Sequence, residues 1–205
     1  MRLVSLLLIV GSALVAAQAD LNPDARARLP YLQRKDMDEK VLPIYDTLPG
    51  RGQDGVLRGP LAFAAYNPAV AKALFDLHNA AVAGSLTPHT RELAIMVACR
   101  ETNYNLEWNG HEATALRNGV DAKVLDLIRA RGSLTGVDEK DAVVIRLGRQ
   151  MFTDKKVDAA TYAKIVELYG KKGAMDLVAV MITYADSGFY GIAVNEQPAP
   201  GKQPL

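Results

Sequence analysis

Between residues 92 and 111 the chain gathers two carboxyls, a phenol, an indole and an imidazole: Glu92, Tyr104, Glu107, Trp108 and His111. His111 is one of only three histidines in 205 residues, so its place four residues after a glutamate carries weight. On a helix, positions four apart share a face. Glu107 and His111 would then offer a proton acceptor and a proton donor from one rigid surface, as acid–base chemistry on a small molecule requires. The plainer reading is a solvated ion pair contributing a few tenths of a kcal/mol. Leu106 and Trp108 flank Glu107, so the segment is not simply a wet face. Glu92 opens an almost wholly apolar run over residues 93–99, where a carboxyl sits at the rim of a bundle or is buried and paired.

Other chemistries lack their residues. His111-Glu112 begins like a zinc-protease helix, but Ala115 stands where the second histidine belongs. His78 and His89 lie on other segments and read as surface or cap-adjacent residues. The single cysteine, Cys99, permits no disulfide within the chain and no cysteine-based zinc site. Inside an apolar helix its thiol is raised in pKa and inert, a small core residue. No G-x-S-x-G elbow occurs. Gly50-Arg51-Gly52 lacks the third glycine, the strand and the helix of a dinucleotide fingerprint. Neither a metal nor a cofactor is signalled.

The elements that must position these residues announce themselves by their ends. Asn67-Pro68, Thr87-Pro88, Asp121, Asp138 and Asp158 are helix starts, and Gly84, Gly119, Gly132 and Gly170 are stops. Val70, Leu74, Leu77 and Ala81 predict an inward stripe on the first of these helices. Val143, Val144, Leu147 and Met151, then Ile165 and Leu168, then Leu177, Val180, Met181 and Tyr184, predict the inward faces of the later ones. A short helix over residues 37–45 is expected to stop at or soon after Pro43. Residues 20–34 read as an extended arm or linker and residues 47–60 as a loop rich in glycine and proline. No stretch alternates with period two, so the fold is all-α, a single-domain bundle of about seven helices.

Residues 1–19 carry Arg2, an apolar run and Ala17-Gln18-Ala19, the pattern of a cleaved export signal. The run is short of the roughly 20 residues a membrane span needs. The expectation is an exported protein with no stable membrane association after cleavage. Without Arg2, basic and acidic side chains balance and no dense basic block remains. Charge therefore gives no support to a nucleic-acid or anionic-membrane partner.

The segment Thr90-Arg91-Glu92-Leu93-Ala94-Ile95, with Tyr104, Glu107-Trp108, His111, Ala115 and Asn118-Gly119-Val120, resembles the carboxymuconolactone decarboxylase family, which shares its fold with the alkyl-hydroperoxidase D-like proteins. The resemblance covers residues 57–205 and leaves residues 20–56 as an N-terminal arm and loop. In the peroxidase branch of that fold a glutamate is followed by a C-x-x-C pair, then by a histidine four residues after the second cysteine. Here Tyr104 and Glu107 hold the two cysteine positions, so peroxide reduction through that disulfide has no thiols to use. The resemblance implies the decarboxylase branch, a cofactor-independent lyase or isomerase acting on a small lactone or carbonyl acid. In it Glu92, Glu107 and His111 are the catalytic candidates: His111 or a protonated Glu donates a proton, Glu92 orients His111, and Glu107 relays. Tyr104, Trp108 and Arg91 are the substrate-binding candidates, with Arg91 or Arg100 available to a substrate carboxylate. Two other readings stand beside it: a non-catalytic ligand-binding or structural member of the fold, and a peroxidase acting through Cys99. The resemblance also implies a homo-oligomer, a trimer or hexamer.

Overall fold

Five polar side chains open five helices, each by accepting a backbone N–H that the first turn leaves free. A computed structural model describes residues 20–48, 51–198, 200–201 and 205; the expected export signal lies outside them. A short α1 (Leu42–Tyr45) comes first. Asn67 then accepts from Val70 N at 3.4 Å and starts α2 (Pro68–Val82). Thr87 accepts from Thr90 N at 3.2 Å and starts α3 (Pro88–Glu101). α4 (Asn105–Arg117) follows without a side-chain cap. Asp121, Asp138 and Asp158 cap α5 (Ala122–Arg129), α6 (Glu139–Arg149) and α7 (Ala159–Ala193). Gly170, at φ +69°, breaks α7 in two. No strand occurs among the described residues, only two isolated antiparallel bridges, so the fold is all-α.

The centre is α3. Leu93, Ala94, Ile95, Met96, Val97, Ala98 and Cys99 are all buried, on every side of the helix. A helix that is apolar all round belongs in the interior, and α3 packs against α4, α5, α6 and α7. A second cluster gathers Tyr45, Leu48, Leu57, Ala62 and Ala71. Residues 20–34 are docked rather than loose: Ala25 and Ala27 are buried with Phe63 and Val194. Arg28 N donates to Val194 O at 2.7 Å, and Gln197 N to Arg26 O at 2.9 Å. No helix among the described residues is long and apolar enough to cross a membrane.

Three local expectations are corrected. Pro43 stands in the first turn of α1 and begins that helix rather than stopping it, because the first turn needs no N–H from proline. On α2, Val70 and Leu77 are exposed while Ala71 and Ala81 are buried. The inward face runs through residues 71, 74, 75, 78 and 81, one position round from the expected stripe, with small side chains where helices approach closely. Finally, residues 60–66 form a 3₁₀ turn and Gln150–Asp154 a π turn. Leu61, Ala62, Phe63, Ala64 and Ala65 are consecutive and buried, so tertiary packing fixes that turn without any period to read.

Candidate active site

A tight turn sets the site. Thr102 Oγ1 donates to Ala98 O at 2.8 Å, Asn103 takes a left-handed φ of +55°, and Tyr104 N donates to Cys99 O at 2.9 Å. The chain reverses there and α4 runs back along α3. Glu92 of α3 and His111 of α4 consequently meet, with Glu92 Oε2 3.0 Å from His111 Nδ1. The other ring nitrogen, Nε2, lies 3.5 Å from Glu107 Oε2 one turn earlier on α4. The imidazole is held between two carboxyls. Side-chain exposure rises from 6% at Glu92 through 13% at Glu107 to 24% at His111, so the ring is the most open member.

The surroundings tune the protons. Burial works against charge on His111, but the hydrogen bond to Glu92 and the charges of Glu107 and Glu92 outweigh it and raise its pKa. Burial pushes Glu107 up to about 7; the charge of His111 opposes this, and Glu196 and Asp186 reinforce it. Cys99 is fully buried, and burial together with Glu107 and Glu92 drives its thiol well above the ordinary range. That state is inert toward peroxide. Among the described residues no group of His, Cys, Asp and Glu has the geometry to hold a metal ion.

Other candidates turn elsewhere. Tyr104 is buried and its hydroxyl donates to Glu196 Oε2, while Tyr31 donates to Glu196 Oε1 at 3.3 Å. Trp108 is buried in the core with the Arg129 guanidinium 4.9 Å from its ring centre, and its indole N–H has no partner among the described residues. Arg91 Nη1 donates to Val82 O at 3.1 Å, capping the end of α2. Arg100 donates to Arg129 O at 2.7 Å and to Asn103 Oδ1 at 3.0 Å. Neither arginine is turned to the Glu92–His111–Glu107 group.

Four residues join the site that sequence reasoning did not place there. Tyr184 of α7 stands edge-on to His111 at 5.0 Å between ring centres. His78 of α2 lies 5.4 Å from the same ring. His78 is half-buried, not a surface residue, and burial and the charge of His111 lower its pKa. Burial pushes Asp186 up to about 6, against the hydrogen bonds of Ser187, and its Oδ2 is buried without a partner among the described residues. Burial likewise raises Glu196, against the hydrogen bonds from Tyr104 and Tyr31. The rarity of histidine was a signal for His78; nothing local marks Glu196, which reaches the site from 92 positions beyond Tyr104.

Residues 68–145 match the model of the carboxymuconolactone decarboxylase family. No curated protein matches the chain. Among solved structures, a peroxidase-related protein of Ralstonia eutropha, described as an alkylhydroperoxidase AhpD core, is 16% identical with a TM-score of 0.61 and covers 87% of this chain and 98% of its own. The debrominase Bmp8 in complex with 2,3,4-tribromopyrrole is 16% identical with a TM-score of 0.59, covering 82% of this chain and 90% of its own. At such identities the likeness is one of fold. The matched region holds Glu92, Glu107 and His111, whereas Tyr31, Tyr184, Asp186 and Glu196 come from outside it.

Proposed function

We propose that this chain, whose residues 68–145 form a carboxymuconolactone decarboxylase family domain in an AhpD-like fold, is a cofactor-independent acid–base enzyme acting on a small carbonyl compound or lactone. The observation that carries the reading is His111 fixed between Glu92 at 3.0 Å and Glu107 at 3.5 Å, with the ring reaching solvent. Glu92 accepts from Nδ1 and leaves Nε2 for a substrate oxygen. A carboxyl with a pKa of about 7 both takes and gives protons at neutral pH, and Glu107 supplies one. In an isomerisation, Glu107 removes a proton beside the carbonyl, His111 donates a hydrogen bond to the enolate oxygen, and the proton returns to another carbon. In a decarboxylation, carbon dioxide leaves its electron pair in the carbonyl system and His111 or Glu107 protonates the carbon.

The test is proton exchange into small ketones and lactones in heavy water, followed by NMR. The wild type accelerates exchange, and His111→Asn loses it by about 100-fold or more with the fold retained. Equal exchange in His111→Asn removes His111 from the mechanism. The reading also includes export through residues 1–19, whose charge, apolar run and A-x-A pattern support it. Self-association as a trimer or hexamer draws support from Met175, Ile182 and Phe189, exposed at seven-residue spacing along α7.

A further inference from the structure

A cleft of about 500 Å³ lies between the N-terminal arm and residues 56–58. Its volume falls in the range of small-ligand sites. It shares no lining residue with the Glu92–His111–Glu107 group. Buried Val56 and half-buried Tyr31 and Leu32 give it apolar surface, and Asn22, Asp24, Gln33 and Arg58 give it polar groups.

Its walls are fixed by bonds made elsewhere. Tyr66 Oη donates to Pro30 O at 2.9 Å. Tyr45 Oη accepts from Leu57 N and donates to Gly55 O, both at 3.2 Å, and so holds the opposite wall. Tyr31 is pinned twice: its hydroxyl donates to Glu196 Oε1 at 3.3 Å, and Phe63 stacks on its ring with 5.5 Å between centres. Asn22 closes its own turn, Oδ1 accepting from Asp24 N and Ala25 N, both at 3.0 Å.

Some polar groups of the lining are left over. Among the described residues the Asn22 amide nitrogen, the Asp24 carboxyl and the Gln33 amide have no hydrogen-bond partner. Arg58 differs, because both its Nη atoms are spent on Asp54, at 3.0 and 2.6 Å. An anion would therefore meet the Asp24 carboxyl and a guanidinium whose charge Asp54 already answers. An ammonium would suit Asp24 but leave the donors of Asn22 and Gln33 facing a cation. A hydrocarbon would strip water from the amides and return nothing. A ring carrying several hydroxyls meets every demand. Each hydroxyl donates and accepts, and the C–H face of the ring covers the apolar wall.

We propose that this cleft binds an uncharged polyhydroxylated ring compound, a sugar, held by Asn22, Asp24 and Gln33 against Tyr31. Asp24 accepts from its hydroxyls, the Asn22 amide donates to one, and the Gln33 amide does either. Tyr31 contributes its ring, since its hydroxyl is already engaged by Glu196.

The full chain is titrated with maltose, sucrose and lactose, and with glycine betaine as the charged comparison, while amide and His111 ring resonances are followed by NMR. A disaccharide shifts the amides of Asn22, Gln33 and Val56 saturably and leaves the His111 ring in place. Gln33→Ala and Asp24→Ala each weaken that binding by about five-fold or more, and Tyr31→Ala by about ten-fold or more. The first two side chains bond to no other described residue, so those variants keep the arm docked. No saturable shift with any of the three sugars overturns the proposal. Binding that Gln33→Ala and Asp24→Ala both leave unchanged overturns it too, as does tighter binding of glycine betaine than of any sugar.

Discussion

The pKa of His111 is raised because two carboxyls flank one ring, and their effect exceeds the cost of burial. Glu92→Gln replaces the carboxyl at 3.0 Å by an amide, so the His111 pKa falls, read from its ring resonances against pH. The whole site should also write itself into stability. Glu107 rises to about 7 from 4.5 and Asp186 to about 6 from 3.8, and His111 and Glu196 move upward too. Groups raised on folding bind protons more tightly in the native state, so their contribution is full at low pH and fades as pH climbs through the folded values. Tm therefore falls between about pH 5 and pH 8, and Glu107→Gln flattens the slope. The lowered carboxyls, Asp54 and Asp176 at about 2, act below that window. At this scale the sequence showed the Glu92–Glu107–His111 group through helical spacing and a resemblance. It could not show Asp186 or Glu196, because neither shares a local pattern with His111; tertiary folding alone brings them near.

Helix ends were the most legible elements. Asn67, Thr87, Asp121, Asp138 and Asp158 were read as starts, and each accepts a backbone N–H in its own first turn, a purely local interaction that residue type reveals. Asp158→Ala lowers the midpoint of denaturant unfolding, since it leaves Thr161 N without its 2.7 Å acceptor. Faces were harder. The inward side of α2 is lined by Ala71, Leu74, His78 and Ala81, so counting large apolar residues turned the stripe by one position. The same demand for small residues recurs where α6 crosses α3. A Cβ on Gly148 would strike Val97, so Gly148→Ala destabilises by about 1–3 kcal/mol through overpacking, again measured by denaturant unfolding. The π turn after α6 leaves no sequence signature, because it extends a helix with ordinary helical residues.

For the molecule as a whole, α7 has two occupations. Its inner side carries Leu177, Val180, Met181 and Tyr184 into the core, while Met175, Ile182 and Phe189 face outward. On the proposed self-association through this face, Ile182→Asp with Phe189→Asp reduces the mass seen in sedimentation to that of one chain, with helicity unchanged; a mass that is the same in wild type and variant removes this face from any assembly. The arm and the tail have a different consequence, one in time. Arg26 and Gln197 are separated by 171 positions, and the bundle between them must form before their backbones can pair. The adjacent helices α3 and α4 pack across a short turn, a contact that forms fast, whereas the pairing that delivers Glu196 waits for a long closure. The tail that carries Glu196 is thus expected to open before the helices do, with amide exchange at Gln197 faster than at the buried centre of α3.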